Sequence, residues 1–142
     1  MVTNVGANVR DFLKANWNSA TFPEPLVTLG GDMEDCLDSP KNNINIMDFP
    51  TNFSLRHSME THILEIYGHV VRTSIIAGQS DLFTTQYPVM LTELLRVLRA
   101  GQNSYGTLDS WIDGGDVDSD IVDLPEFGGA LTFLITVQIT VI

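Results

Sequence analysis

A chain of 142 residues with 44% hydrophobic content is of single-domain size and can bury a real core, which excludes wholesale disorder. Its 18 acidic residues against seven basic ones leave a net charge of −11, so the surface repels nucleic-acid phosphates and attracts basic partners. No run approaches the roughly 18 apolar residues of a membrane helix. Residues 1–20 also lack the charged start and apolar block of a secretory signal, so the expected compartment is the cytoplasm.

Residues 3–17 read as an amphipathic helix. Val5, Val9, Phe12 and Leu13 fall at i, i+4, i+7 and i+8, while Arg10, Asp11 and Lys14 face water. Thr3 or Asn4 can cap its start, Trp17 is expected to anchor its end in the core, and Pro23 and Pro25 stop it. Leu26 to Leu29 is a short strand closed by Gly30-Gly31. Asp32 to Asn43 is aperiodic, acidic and then polar, and reads as a loop. Ile44, Ile46 and Asp48-Phe49 resume a strand that Pro50 is expected to break.

Phe53 and Leu55 start a further β run, and Ile63 to Val71 forms a stronger strand. In it Leu64, Ile66, Gly68 and Val70 share one face, with Glu65, Tyr67 and His69 on the other. Gly68 is expected to mark a bulge or bend. Ile75-Ile76 extends the apolar content up to Gly78. A second helix then starts at Ser80 or at Thr84-Thr85; the later start leaves Pro88 in the first turn, where its missing N–H costs little. Tyr87, Met90, Leu91, Leu94, Leu95 and Leu98 make its apolar face, Arg96 and Arg99 suit the negative end of its dipole, and Gly101 is placed to serve as C′.

Residues 102–129 are rich in Gly and Asp, with strands expected near Leu108 to Ile112 and Ile121 to Leu124. The chain closes on Ala130 to Ile142, where Leu131, Phe133, Ile135, Val137, Ile139 and Val141 alternate with Thr132, Leu134, Thr136, Gln138 and Thr140. That alternation specifies a long half-buried strand, which must be covered by neighbours or by another subunit. The fold class is therefore α+β: a mostly antiparallel sheet of about five strands with two helices packed on one face, as a single domain over residues 1–142.

Chemistry-bearing patterns are sparse. Asp116, Asp118 and Asp120 match the first alternate carboxylates of a helix-loop-helix calcium loop, but Ile121 stands where Gly is needed and Phe127 where Glu is needed. A solvated acidic loop is the plainer reading. His62 and His69, seven apart on one strand, point to opposite faces, and His57 and Cys36 have no zinc-ligand spacing. Cys36, beside Asp35 and Glu34, has no disulfide partner and no basic neighbour in sequence to activate it. No nucleophile elbow, phosphate-binding Gly loop or dinucleotide fingerprint is present. The expectation is a protein that is not an enzyme and uses no metal or cofactor.

The element order carried by Val5 to Trp17, Phe53 to Val71, Tyr87 to Ala100 and the ending from Gly128-Gly129 to Ile142 resembles that of the tail-terminator, or tail-completion, proteins of long-tailed phages and archaeal tailed viruses. The resemblance is architectural and spans nearly the whole chain. It implies a structural virion protein of the tail and neck, assembled in the host cytoplasm as a homohexameric ring. Such a ring terminates tail-tube polymerisation and joins the tail to the head-side connector. Its implied partners are further copies of itself, the tail tube protein and the connector or adaptor protein, with DNA only as cargo passing through the lumen. An acidic chain whose lysines are Lys14 and Lys41 alone would suit a virus of a halophilic archaeon.

No family motif transfers functional residues, so interface candidates come from chemistry. Met47, Phe49 and Phe53 flank Pro50, and Tyr105, Trp111 and Phe127 sit in a polar segment. Methionine and aromatic anchors amid polar residues suit contact surfaces, and core packing would explain each of them equally well. The alternatives are a head-closure or adaptor protein at the same neck and, in a different class, a small halophilic ligand-binding or enzymatic α+β domain.

Overall fold

Helix α1 runs over Val5–Asn16 and begins where Asn4 can cap it. The Asn4 carboxamide accepts from the Ala7 N–H at 3.1 Å, a bond of a kind that contributes about 1 kcal/mol to a helix start. Val5, Val9 and Leu13 form the buried stripe. At the other end the backbone turns extended at Trp17, whose indole N–H donates to the Phe22 carbonyl at 2.9 Å and so seats the ring in the core, as expected. This computed structural model describes residues 4–30, 42–54, 59–71, 85–101, 107–110, 118–122 and 130–141.

The second helix, α2, spans Tyr87–Ala100 with Pro88 in its first turn, in agreement with the later of the two starts. Met90, Leu94, Val97 and Leu98 are buried, and so is Glu93. Gly101 ends the helix without using glycine's left-handed freedom. Its φ is −83°, and its N–H closes on the Val97 carbonyl at 3.0 Å.

The sheet is mixed. Its body is the four strands β1 (Leu26–Leu29), β2 (Asn43–Ser54), β3 (Met59–Val71) and β6 (Ala130–Val141), in the order β1-β2-β3-β6. β1 is parallel to β2, and the other body pairings are antiparallel. Two short strands, β4 (Thr107–Ser110) and β5 (Asp118–Val122), pair with the edge of β6 that β3 leaves open. The long closing strand is thus flanked on both sides, as its apolar alternation demands. The architecture is α+β and the strand pairings are mostly antiparallel, as expected; among the described residues the body has four strands where about five were expected, with a parallel pair at its β1 edge.

Register assigns the two faces. Val27, Ile44, Ile46, Leu64, Ile66, Val70, Phe133, Ile135, Val137 and Ile139 lie on one face and are buried. Both helices meet this face: α1 packs along β1 and β2, and Tyr87 of α2 stacks on Phe133 with ring centroids 5.1 Å apart and planes tilted by 59°. Each large aliphatic side chain buried there contributes about 1.5–3 kcal/mol.

Two expectations about β2 and β3 are corrected. Pro50 does not end its strand: β2 continues to Ser54, and the register against β3 slips between Pro50 and Asn52. A bulge is where a strand tolerates a residue that cannot donate to the ladder. Gly68 marks no bulge; it pairs in regular register with Ile44 and Phe133. It is glycine because the Phe133 ring lies over the place where a Cβ would be.

A buried carboxylate joins the helices. Glu93, 1% exposed, accepts from the Asn18 N–H at 2.9 Å and from Arg96 Nη2 at 2.8 Å, and the same guanidinium nitrogen donates to the Asn16 carbonyl at 2.8 Å. The Arg96 bond holds the Glu93 carboxyl below its ordinary value of 4.5 despite burial, helped by the Asn18 N–H and the guanidinium charge. A carboxyl depressed in the folded state contributes stability above its unfolded value, and that stability is lost as pH falls through the folded value. Glu93→Gln is therefore expected to lower the unfolding midpoint at neutral pH and to flatten its decline below pH 4.5, as read by thermal melts across acid pH.

Candidate functional site

Among the described residues the most concentrated chemistry is a line of three side chains at the start of α1. On β3, Glu60 and His62 are two residues apart and so share a face, the same face as the core residues Leu64 and Ile66. On β2, Asp48 continues the parity of Ile44 and Ile46, and the pairing of Pro50 with His62 brings it diagonally beside the imidazole. His62 Nδ1 lies 2.7 Å from Asp48 Oδ1, and Nε2 lies 3.0 Å from Glu60 Oε2. The second Asp48 oxygen accepts from the Gly6 N–H of α1 at 3.1 Å. A carboxylate in the sheet thereby satisfies a first-turn amide of the helix, where the helix dipole favours negative charge.

Burial alone would pull the His62 imidazolium down. The bonds to Glu60 and Asp48, with the charges of both carboxylates, outweigh it and raise the group above its ordinary 6.5. The His62 side chain is 0% exposed and its two partners 14% and 9%. No substrate can reach such an imidazole, so its chemistry is structural. Among the described residues no three His, Cys, Asp or Glu side chains are arranged to hold a metal ion.

Sequence reading separated His62 from His69 correctly but missed that the His62 face is the core face. The available signal was parity: Asp48, Glu60 and His62 each occupy a core-side position of their strand.

The opposite sheet face carries a second constellation. Asn43, Asn45, Met47 and Phe49 of β2 stand beside His69, Tyr67, Glu65 and Ile63 of β3, and these beside Thr132, Leu134, Thr136 and Gln138 of β6. Phe49 is 42% exposed, and Met47, Ile63, Tyr67 and Leu134 are partly accessible. Tyr67 donates to Glu65 at 2.6 Å; that bond, with burial and the carboxylate charge, pushes the phenol up to about 12.

Of the interface candidates, Met47 and Phe49 lie on this face. Phe53 falls within β2 by its backbone pairing with Glu60, while Tyr105, Trp111 and Phe127 lie outside the described residues. Asp118 and Asp120 pair as an extended strand with Leu134 and Thr132, which is not the backbone of a calcium loop. Among the described residues no helix is long and apolar enough to cross a membrane. No protein-family model matches the chain, and no curated protein matches it.

Proposed function

We propose that this chain is a structural virion protein that assembles with copies of itself into a ring at the top of a viral tail tube. In that role it ends tube polymerisation and joins the tail to the head-side connector. The element order supports the reading, and one observation carries it: the sheet face turned away from both helices presents Phe49, Met47, Ile63, Tyr67 and Leu134 to solvent. An apolar and aromatic set on one face of a sheet, interspersed with Glu65, Thr136 and Gln138, has the aromatic and methionine enrichment of a contact surface. A heterologous contact between copies closes into a ring when its rotation is right, and needs no catalytic group. The net charge of −11 keeps a lumen from gripping passing DNA.

The test is mass in native solution at molar salt, where a chain of this charge is screened. A closed ring of about six copies is expected, with Ile63→Glu reducing it to folded monomer because a carboxylate would be placed in the contact. A wild-type protein that stays monomeric at every concentration and salt overturns the reading.

A further inference from the structure

We propose that Asp48, His62 and Glu60 form a proton-operated lock, in which a doubly protonated His62 fastens the first turn of α1 to the sheet and loss of one proton releases it. The argument starts from counting hydrogens. A neutral imidazole has one N–H and one lone pair, whereas a carboxylate offers only acceptors. Both ring nitrogens of His62 sit within hydrogen-bonding distance of a carboxylate oxygen, at 2.7 and 3.0 Å. Both contacts are attractive only if each carries a hydrogen, so the cluster needs one proton more than two carboxylates and a neutral ring supply. An imidazole is more basic than a carboxylate by roughly two pH units, which places that proton on the ring, between the two carboxylates.

Among the described residues the titratable side chains facing His62 are Glu60 on its own strand and Asp48 on β2. β6 presents Ile139 opposite it, α1 offers the Gly6 N–H and no acidic residue in its first turn, and Glu93 of α2 is held by Arg96. When the ring loses a proton, one contact becomes lone pair against lone pair beside two negative charges. Asp48, at 14% side-chain exposure, is the partner nearer water. As it turns outward it takes with it the acceptor of the Gly6 N–H, and the first turn of α1 loses its tie to β2.

The direction of the pH effect is set by a folded-state proton affinity raised above the ordinary 6.5. The stabilisation is complete below about 6.5 and disappears as pH rises through the raised value. Alkaline conditions therefore loosen α1 while the sheet stays closed. This inference is independent of the ring assignment.

The experiment is NMR on the whole chain, reading His62 ring nitrogens and amide exchange between pH 6 and 10. Two protonated ring nitrogens are expected at pH 7. The protection of the Gly6 to Val9 amides, taken as a ratio to that of the Phe133 to Ile139 amides to cancel base catalysis, should fall at least tenfold with the midpoint of the His62 titration. Glu60→Gln should move that midpoint down, and His62→Gln should show the loosened helix already at pH 6. If His62→Gln does not fold, the wild-type titration decides alone. A singly protonated ring at pH 7, or a protection ratio that stays flat while His62 titrates, overturns the lock.

Discussion

Gly68→Ala is expected to cost about 3 kcal/mol, the upper end of what inserting one methyl into a packed interior does. A Cβ at this position would lie 2.1, 2.2 and 2.7 Å from three ring atoms of Phe133, all below the closest approach carbon atoms tolerate. The ring cannot swing clear cheaply, because Tyr87 stacks against it from α2 and Ile66 and Ile135 fill the adjoining row of the sheet. Either Phe133 leaves its rotamer or β3 and β6 separate locally. A drop of roughly 10 °C in the thermal midpoint follows for a chain of this size. Phe133→Leu opens a cavity when made alone, but it removes the ring that the new methyl strikes. The double variant should therefore be more stable than the two single losses predict, by 1 kcal/mol or more in a double-mutant cycle. A Gly68→Ala protein within about 0.5 kcal/mol of wild type would show that the ring does not occupy this space.

Asp48→Ala is the second large effect, expected at about 3 kcal/mol at neutral pH. One carboxylate there ties three elements: it belongs to β2, receives His62 Nδ1 from β3 at 2.7 Å, and receives the Gly6 N–H from α1 at 3.1 Å. Without it, a fully buried imidazolium keeps Glu60 as its remaining anion, and a first-turn amide of the helix loses its acceptor. Removing one member of a buried charged set is costly because the partner left behind has already lost its water. Asp48→Asn retains an oxygen for Gly6 and should recover about 1 kcal/mol of the loss. Urea unfolding midpoints at pH 7 separate the two variants, and equal losses would mean that the helix contact contributes nothing.

Gly6 belongs to the same junction. A Cβ there would come within 2.8 Å of the Leu29 side chain and 3.1 Å of Asp48 Cβ, so the helix start sits directly on β1 and β2. This close approach lets a backbone amide reach a carboxylate in the sheet without a water between them.

Much of this arrangement was legible in the order of residues because its causes are local. The 3.6-residue spacing of Val5, Val9 and Leu13, the cap at Asn4, Pro88 in a first turn and the alternation from Leu131 to Val141 each act within a few residues of themselves. The separation of Leu64, Ile66 and Val70 from Glu65, Tyr67 and His69 is likewise a property of any extended chain. The tertiary structure alone decided which side of each strand became the core and which strands became neighbours. Pro50 stays inside β2 because β3 beyond it still pairs with Asn52 and Phe53, and Gly68 is required by a ring that is 65 positions away in the chain. Asp48, Glu60 and His62 look unrelated along the sequence. They meet because two strands in register bring the hydrophobic faces of Ile44, Ile46, Leu64 and Ile66 together, and three polar side chains of the same parity are carried in with them, where they bond to one another and to the first turn of a helix.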